Sequence, residues 1–297
     1  MALFDQIPDQ YLTLARNTRM LFSDRSVGEN INNFLNCFDS STEWVDAPAT
    51  CRKDYYDTTG SLWQSTTYPD PNYPTPARIL FDPDPVKYNR DNWTFVYAQG
   101  DWEALTDGFV SQIVPQNLNT NDVLSYQFSY LNINFGSNIE DADDGFFVDL
   151  PHFGYYPNGR ERWDISDIEG LETQYPSKTI IYWTTSLARS IGTPEGESFN
   201  NQMRQYAIAN DKILFDVADI ESHDPSGQPC YDNRDGVEYC NSANNCENHP
   251  NDGQNIAAIC QDYTTELEGG HLGVSAGGLR IAKAFWVLMA RLNGWTP

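Results

Sequence analysis

Arg19-Met20-Leu21-Phe22-Ser23-Asp24-Arg25-Ser26-Val27-Gly28-Glu29-Asn30-Ile31 is the stretch on which the fold turns. A short apolar run at 19–23 reads as a strand. The polar turn after it feeds a helix entered at Val27, with Ser26 in a favoured N-cap place. Outward from there, four more β-rich runs, at 94–98, 123–130, 178–184 and 212–217, alternate with helical patterns. Residues 102–113 carry apolar side chains at helical spacing. Thr193-Pro194 reads as an N-cap followed by proline in the first turn of a helix bearing Phe199, Met203 and Tyr206. The last helix, 276–292, places Ile281, Phe285, Leu288 and Leu292 on one face. Strands alternating with helices predict a mostly parallel sheet covered on both sides, a three-layer α/β/α fold, and five strands fit a flavodoxin-like order.

Two segments stand outside that framework: 37–91, rich in Tyr, Pro and Asp, and 222–267, rich in Asn, Asp and Cys. Loops of this length inside a compact domain are ordered insertions more often than slack, so the expectation is one domain over 1–297 with two braced insertions. The six cysteines fit that picture and an extracellular or periplasmic compartment. The preferred pairing is Cys37 with Cys51, Cys230 with Cys240, and Cys246 with Cys260. A zinc site from Cys240, Cys246, His249 and Cys260 competes, but it lacks paired C-x-x-C spacing.

Eighteen basic against forty-two acidic residues give a formal charge of -24, which repels nucleic acid and anionic membranes. The hydrophobic fraction of 40% is enough for a core, yet no apolar run is long enough to span a membrane, and the N-terminal residues lack the pattern of a signal peptide. The acid-rich stretches Asp232, Asn233, Asp235, Glu238 and 140–144 offer hard oxygen ligands suited to structural calcium, though neither matches an EF-hand loop.

Functional groups in open α/β sheets collect beyond the carboxyl ends of the strands. After the successive strands come Ser26 with Gly28, then Gln99 and Gly100, then Asn132 and Asn134, then Thr185 and Ser186, then Asp219 and Glu221. Ahead of the last helix stands Glu268-Gly269-Gly270-His271-Leu272, with one of only four histidines. A carboxylate three residues before an imidazole can turn back across the two glycines and accept the Nδ1 proton, leaving Nε2 free to act as a base.

These pieces resemble the SGNH, or GDSL-type, hydrolase superfamily. The resemblance rests on 22–31, on Phe128-Ser129-Tyr130-Leu131-Asn132-Ile133, on 181–187, on 215–221, and on Gly270-His271-Leu272 through Phe285-Trp286. It covers most of the strand framework and neither insertion. Gly-Asp-Ser is absent at the first strand, Gly-x-Asn-Asp is absent at the third, and Glu268 stands where aspartate is usual. By position the resemblance implies Ser26 as nucleophile, with Ser23 as alternate, His271 as base and Glu268 as its orienting acid. It also implies an oxyanion hole from the Ser26 and Gly100 amides and the Asn132 side chain.

Other motifs compete. Gly273-Val274-Ser275-Ala276-Gly277 matches a nucleophile elbow literally, but no strand precedes it and no histidine follows. Asp149-Leu150-Pro151-His152 falls before the fourth strand, and His223 among Asp219, Glu221 and Asp224 reads as surface.

The expected activity is therefore a secreted serine esterase with a Ser26–His271–Glu268 triad and no cofactor. Its expected substrate is an acyl ester on a polysaccharide or oligosaccharide, because the aromatic-rich insertion could stack on sugar rings. The alternative is a catalytically silent carbohydrate-binding or cell-surface interaction protein on the same fold.

Overall fold

The computed structural model describes residues 3–39, 84–98, 105–106, 108–127, 130, 133, 138–139, 165–189, 193–232, 238–240, 246–248, 253–264, 266–272 and 276–297. Its centre is a five-stranded sheet, all parallel: β1 (Met20–Asp24), β2 (Trp93–Tyr97), β3 (Val123–Tyr126), β4 (Thr179–Trp183) and β5 (Leu214–Phe215). The spatial order is β2-β1-β3-β4-β5, the flavodoxin-like order, and the chain direction switches at β1. In this strand order ligand crevices form beyond the carboxyl end of the strand where the order reverses, here β1.

Period-two alternation divides the strand residues between two cores. Met20, Phe22, Val123, Ile181 and Trp183 face one side, where α1 (Asp9–Asn17), α2 (Ser26–Asp39) and α7 (Ala276–Leu292) pack. Leu21, Leu124, Tyr126, Ile180 and Tyr182 face the other, covered by α3 (Val114–Asn117), α4 (Ile165–Gln174) and α5 (Thr193–Ala209). The result is the three-layer α/β/α arrangement. All five residues of β1 are buried, as a central strand sandwiched on both faces requires.

The first core is built largely of aromatic rings. Phe22 stacks on Trp183 at 4.8 Å between centroids, Phe285 leans on both, and Trp93 meets Trp286 at 4.3 Å. The buried stripe of α7 differs from the expected one. Ile281, Ala282, Phe285, Trp286, Met289 and Ala290 are fully buried, while Leu288 and Leu292 only pack against the core margin. Small residues on that stripe let the helix sink into a groove between neighbours. Gly278 marks the closest approach, where an added Cβ would lie 1.9 Å from the Phe34 ring of α2. Gly278→Ala is expected to cost about 1–3 kcal/mol by overpacking, read as a lower unfolding midpoint; an unchanged midpoint would contradict this packing.

Helical winding near 102–113 runs further than its sequence pattern suggested. Among the described residues, Phe109–Ile113 is wound as a π-helix and continues into α3. Pro115 lacks the N–H that would close a regular turn there, which favours the wider winding.

The disulfide pairing is corrected. Cys230 bonds Cys260, so neither Cys230–Cys240 nor Cys246–Cys260 forms. Main-chain contacts dictate the pairing: the Cys230 amide donates to Ser222 O, Cys260 to Glu221 O, and Ala258 to Cys230 O. These bonds bring the two ends of the second insertion side by side before any sulfur is considered. Cys37 and Cys246 are also disulfide-bonded, and Cys246 stands opposite Cys240 where β6 (Glu238–Cys240) pairs with β7 (Cys246–Asn248). Cys51 and His249 lie outside the described residues. Among the described residues no helix is long and apolar enough to cross a membrane.

Candidate functional site

Ser26 is the first residue of α2, set by the turn that leaves the carboxyl end of β1. At that position its amide is a first-turn N–H with no intrahelical acceptor. Gly28 permits the turn: a Cβ there would lie 2.3 Å from Asp24 Cβ. The N-cap reading of Ser26 is thus shifted by one residue, and its hydroxyl is turned elsewhere. Ser26 Oγ lies 2.8 Å from His271 Nε2, although 245 residues separate them.

The orienting carboxylate is Glu266, not Glu268. Glu266 Oε1 lies 2.7 Å from His271 Nδ1, and Oε2 accepts the His271 backbone N–H at 3.0 Å. One side chain therefore grips both the ring and the main chain of the histidine. Glu268 is exposed, and its carbonyl, with that of Gly269, accepts from the Arg189 amide, which holds this part of the loop facing another element. The two glycines do matter, though for space and not only for a turn. A Cβ at Gly269 would meet Glu266 Oε2 at 2.0 Å, and one at Gly270 would meet the Leu187 carbonyl oxygen at 1.9 Å.

Several residues that the sequence did not single out complete the frame. Tyr130 OH is 3.4 Å from both Glu266 Oε2 and His271 Nδ1. Thr264 Oγ1 donates to His271 O at 2.8 Å and accepts the Glu266 amide at 3.1 Å. Asn30, one helical turn beyond Ser26 on α2, accepts the Leu272 amide at 3.1 Å. The helix that begins at Ser26 and the histidine loop are therefore tied together next to the Ser26–His271 hydrogen bond. A signal for Glu266 was present in the glycine pair, which implies a neighbour needing room, but sequence spacing could not say which carboxylate filled it.

Because Gly270 abuts a backbone atom that cannot swing away, Gly270→Ala is expected to destabilise the protein by about 1–3 kcal/mol. Urea unfolding would read this as a lower midpoint at unchanged slope.

Electrostatics follow from these contacts. The hydrogen bond to Glu266 raises the His271 pKa above its ordinary value, against the opposing effect of burial. Burial by itself would raise Glu266, but the hydrogen bonds from the His271 ring and amide, with the nearby imidazole charge and Tyr130, bring it below the usual range. Burial dominates at Tyr130 and pushes its phenol upward, keeping it a neutral donor. With Nδ1–H given to Glu266, the Nε2 lone pair faces Ser26 Oγ. His271 and Glu266 retain 32% and 36% side-chain exposure, so the dyad opens to solvent while its supports are buried.

Ser23, the alternate nucleophile, is buried within β1. Gly100 and Asn132 lie outside the described residues, as do Ser275, His152 and most of the acidic stretches considered for calcium. Gly277, the last residue of the literal G-x-S-x-G match, serves packing: a Cβ there would lie 2.4 Å from Tyr263 Cβ. His223 is tied to Asp219 through its Nδ1, 2.9 Å from the carbonyl oxygen. Among the described residues no group of three or more His, Cys, Asp or Glu is placed to hold a metal ion. No protein-family model matches the chain, and neither curated proteins nor solved structures gave a significant match.

Proposed function

We propose that the chain is a serine ester hydrolase of SGNH type, with Ser26 as nucleophile, His271 as general base and acid, and Glu266 as the acid that orients the imidazole. The observation that carries this reading is the continuous hydrogen-bonded line Ser26 Oγ, His271 Nε2, His271 Nδ1, Glu266 Oε1, at 2.8 and 2.7 Å. It sits at the topological switch point, where the flavodoxin-like order places ligand crevices. The serine after the first strand and the histidine before the last helix match the SGNH resemblance, and no G-x-S-x-G stands at the Ser26 turn, where an α/β-hydrolase elbow would need it.

In this reading Ser26 Oγ attacks the ester carbonyl carbon while Nε2 takes its proton. The resulting imidazolium, held by Glu266, passes the proton to the departing alkoxide. Water then attacks the acyl-enzyme by the same route, and the carboxylic acid leaves. The Ser26 amide, as a helix first-turn donor, is one ready oxyanion contact; Gly100 and Asn132 are proposed as the others from the sequence resemblance. Side chains and backbone supply all of this chemistry, so no cofactor is invoked.

Extracellular placement is supported by the Cys230–Cys260 bond and by the lack of a free cysteine among those described. An acylated sugar as substrate is supported by the aromatic content of 37–91, of which 40–83 lie outside the described residues. The test is hydrolysis of p-nitrophenyl acetate and of an acetylated oligosaccharide by the intact protein, with acetate release expected from both. Turnover of neither, by a folded protein, would overturn the esterase reading and favour a silent carbohydrate-binding module.

A further inference from the structure

Two carboxyls lie beneath the site with no place in the chemistry above. Asp24, at the end of β1, and Glu221, at the end of α6 (Val217–Glu221), are both completely buried. Each leaves one oxygen, Asp24 Oδ1 and Glu221 Oε1, without a hydrogen-bond partner among the described residues. An ionised carboxylate in that condition is costly, because burial removes water and only one of its two oxygens gains described hydrogen-bond partners in exchange.

Their other contacts are structural. The Asp24 carboxyl is hydrogen-bonded by the backbone N–H groups of Arg25 and Gly28, so it closes the first turn of the helix that begins with Ser26. Gln127, with its amide oriented to suit both neighbours, donates to Asp24 Oδ2 at 3.0 Å and accepts from the Ser186 amide at 3.2 Å. The next amide, Leu187 N, donates to Glu221 Oε2 at 2.6 Å. Leu187 O is the atom against which Gly270 is pressed. The Glu221 main chain in turn holds Cys260, through the Cys260 amide at 2.9 Å. Asp24 thus grips the nucleophile's turn, and Glu221 grips the turn on which the histidine loop rests.

We propose that Asp24 and Glu221 are proton-retaining positioning residues, a buried pair that holds Ser26 and His271 in register only while it keeps at least one proton. The positioning part rests on the Ser26–His271–Glu266 reading; the proton retention does not.

Among the described residues, the charged and titratable groups that face the pair are few. They are Arg25 on Asp24's own turn, Tyr130 beside Glu221, and the two carboxyls themselves, whose charges oppose each other. Arg25 only partly offsets burial at Asp24, whose pKa is pushed up to about 7. Glu221 is raised well above its ordinary value, by burial first and by Asp24 in addition, against the Leu187 hydrogen bond. A carboxyl raised in the folded state and ordinary in the unfolded one gives stability that is complete at low pH and is lost as pH rises. For Asp24 the window of loss runs from 3.8 to about 7.

The experiment compares the intact protein with Asp24→Asn, Glu221→Gln and the double variant, each isosteric with the protonated form. Infrared titration of the wild type, which needs no variant to fold, is expected to retain a protonated-carboxyl band at about pH 6, where an ordinary carboxylate has lost it. The wild-type unfolding midpoint is expected to fall by about 5 °C or more between roughly pH 5 and pH 8, with the double variant's slope flattened. Fluorophosphonate labelling of Ser26 is expected to decline on the alkaline side in the wild type, with the double variant about fivefold faster than wild type at roughly pH 8.5. No protonated-carboxyl band above about pH 5, or a variant midpoint with the wild-type pH slope, overturns proton retention. Labelling with identical alkaline limbs in wild type and variants overturns positioning. Absence of labelling at every pH, with the band and the midpoint slope as expected, instead removes the esterase reading and with it the positioning claim, and leaves proton retention standing.

Discussion

Replacing Ser26 with alanine is expected to lower ester turnover by a factor on the order of 10^6, as loss of a nucleophile does in other serine hydrolases, with the fold unchanged. The structural cost should be small because Ser26 is only partly buried and, among the described residues, its hydroxyl makes one hydrogen bond, with His271 Nε2 at 2.8 Å. Alanine is also acceptable at the start of a helix whose first turn is already held by Asp24 through the Gly28 amide. Unfolding midpoints of the two proteins should therefore agree closely, while kcat separates them. Retained turnover would move the nucleophile elsewhere.

Glu266→Gln is expected to reduce kcat by about 10^2–10^4 with little change in KM, whereas Glu268→Gln stays within about twofold of wild type. The glutamate accepts from the His271 ring, the His271 amide and Tyr130 OH. Glutamine has one acceptor oxygen and an NH2 that faces donors, so it cannot satisfy the imidazole and the main chain together. A pH signature accompanies the loss. Glu266 raises the His271 pKa, and the base works only when neutral, so wild-type activity falls as pH drops through that raised value. Without the carboxylate the acid limb moves to lower pH. Kinetics of both variants across pH would check this, and a larger effect at position 268 than at 266 would contradict the geometry.

The parts of the molecule legible in the sequence were those written in local pattern. Each of the five strands carries its own apolar run, and alternation with helices constrains them to a parallel sheet; Ser26 and His271 followed from knowing where strand ends must gather. Glu266 was not legible, because the choice between two carboxylates depends on which one the Arg189 contact leaves free to turn inward, a contact across 79 positions of chain from 189 to 268. The cysteine pairing failed for a similar reason: Cys230 and Cys260 are brought together by main-chain bonds to the adjacent residues Ser222 and Glu221, not by spacing. Asp24 and Glu221 carry no local mark either. Their character comes from complete burial, which only the assembled layers impose.

The central claim is that Ser26 is an activated nucleophile. Its most direct measurement is reaction of the intact protein with a fluorophosphonate, followed by peptide mapping of the adduct. One phosphonylated residue, Ser26, is expected, with labelling abolished in His271→Ala and strongly slowed in Glu266→Gln. A folded protein that takes up no label, or takes it up at a different serine, would contradict it.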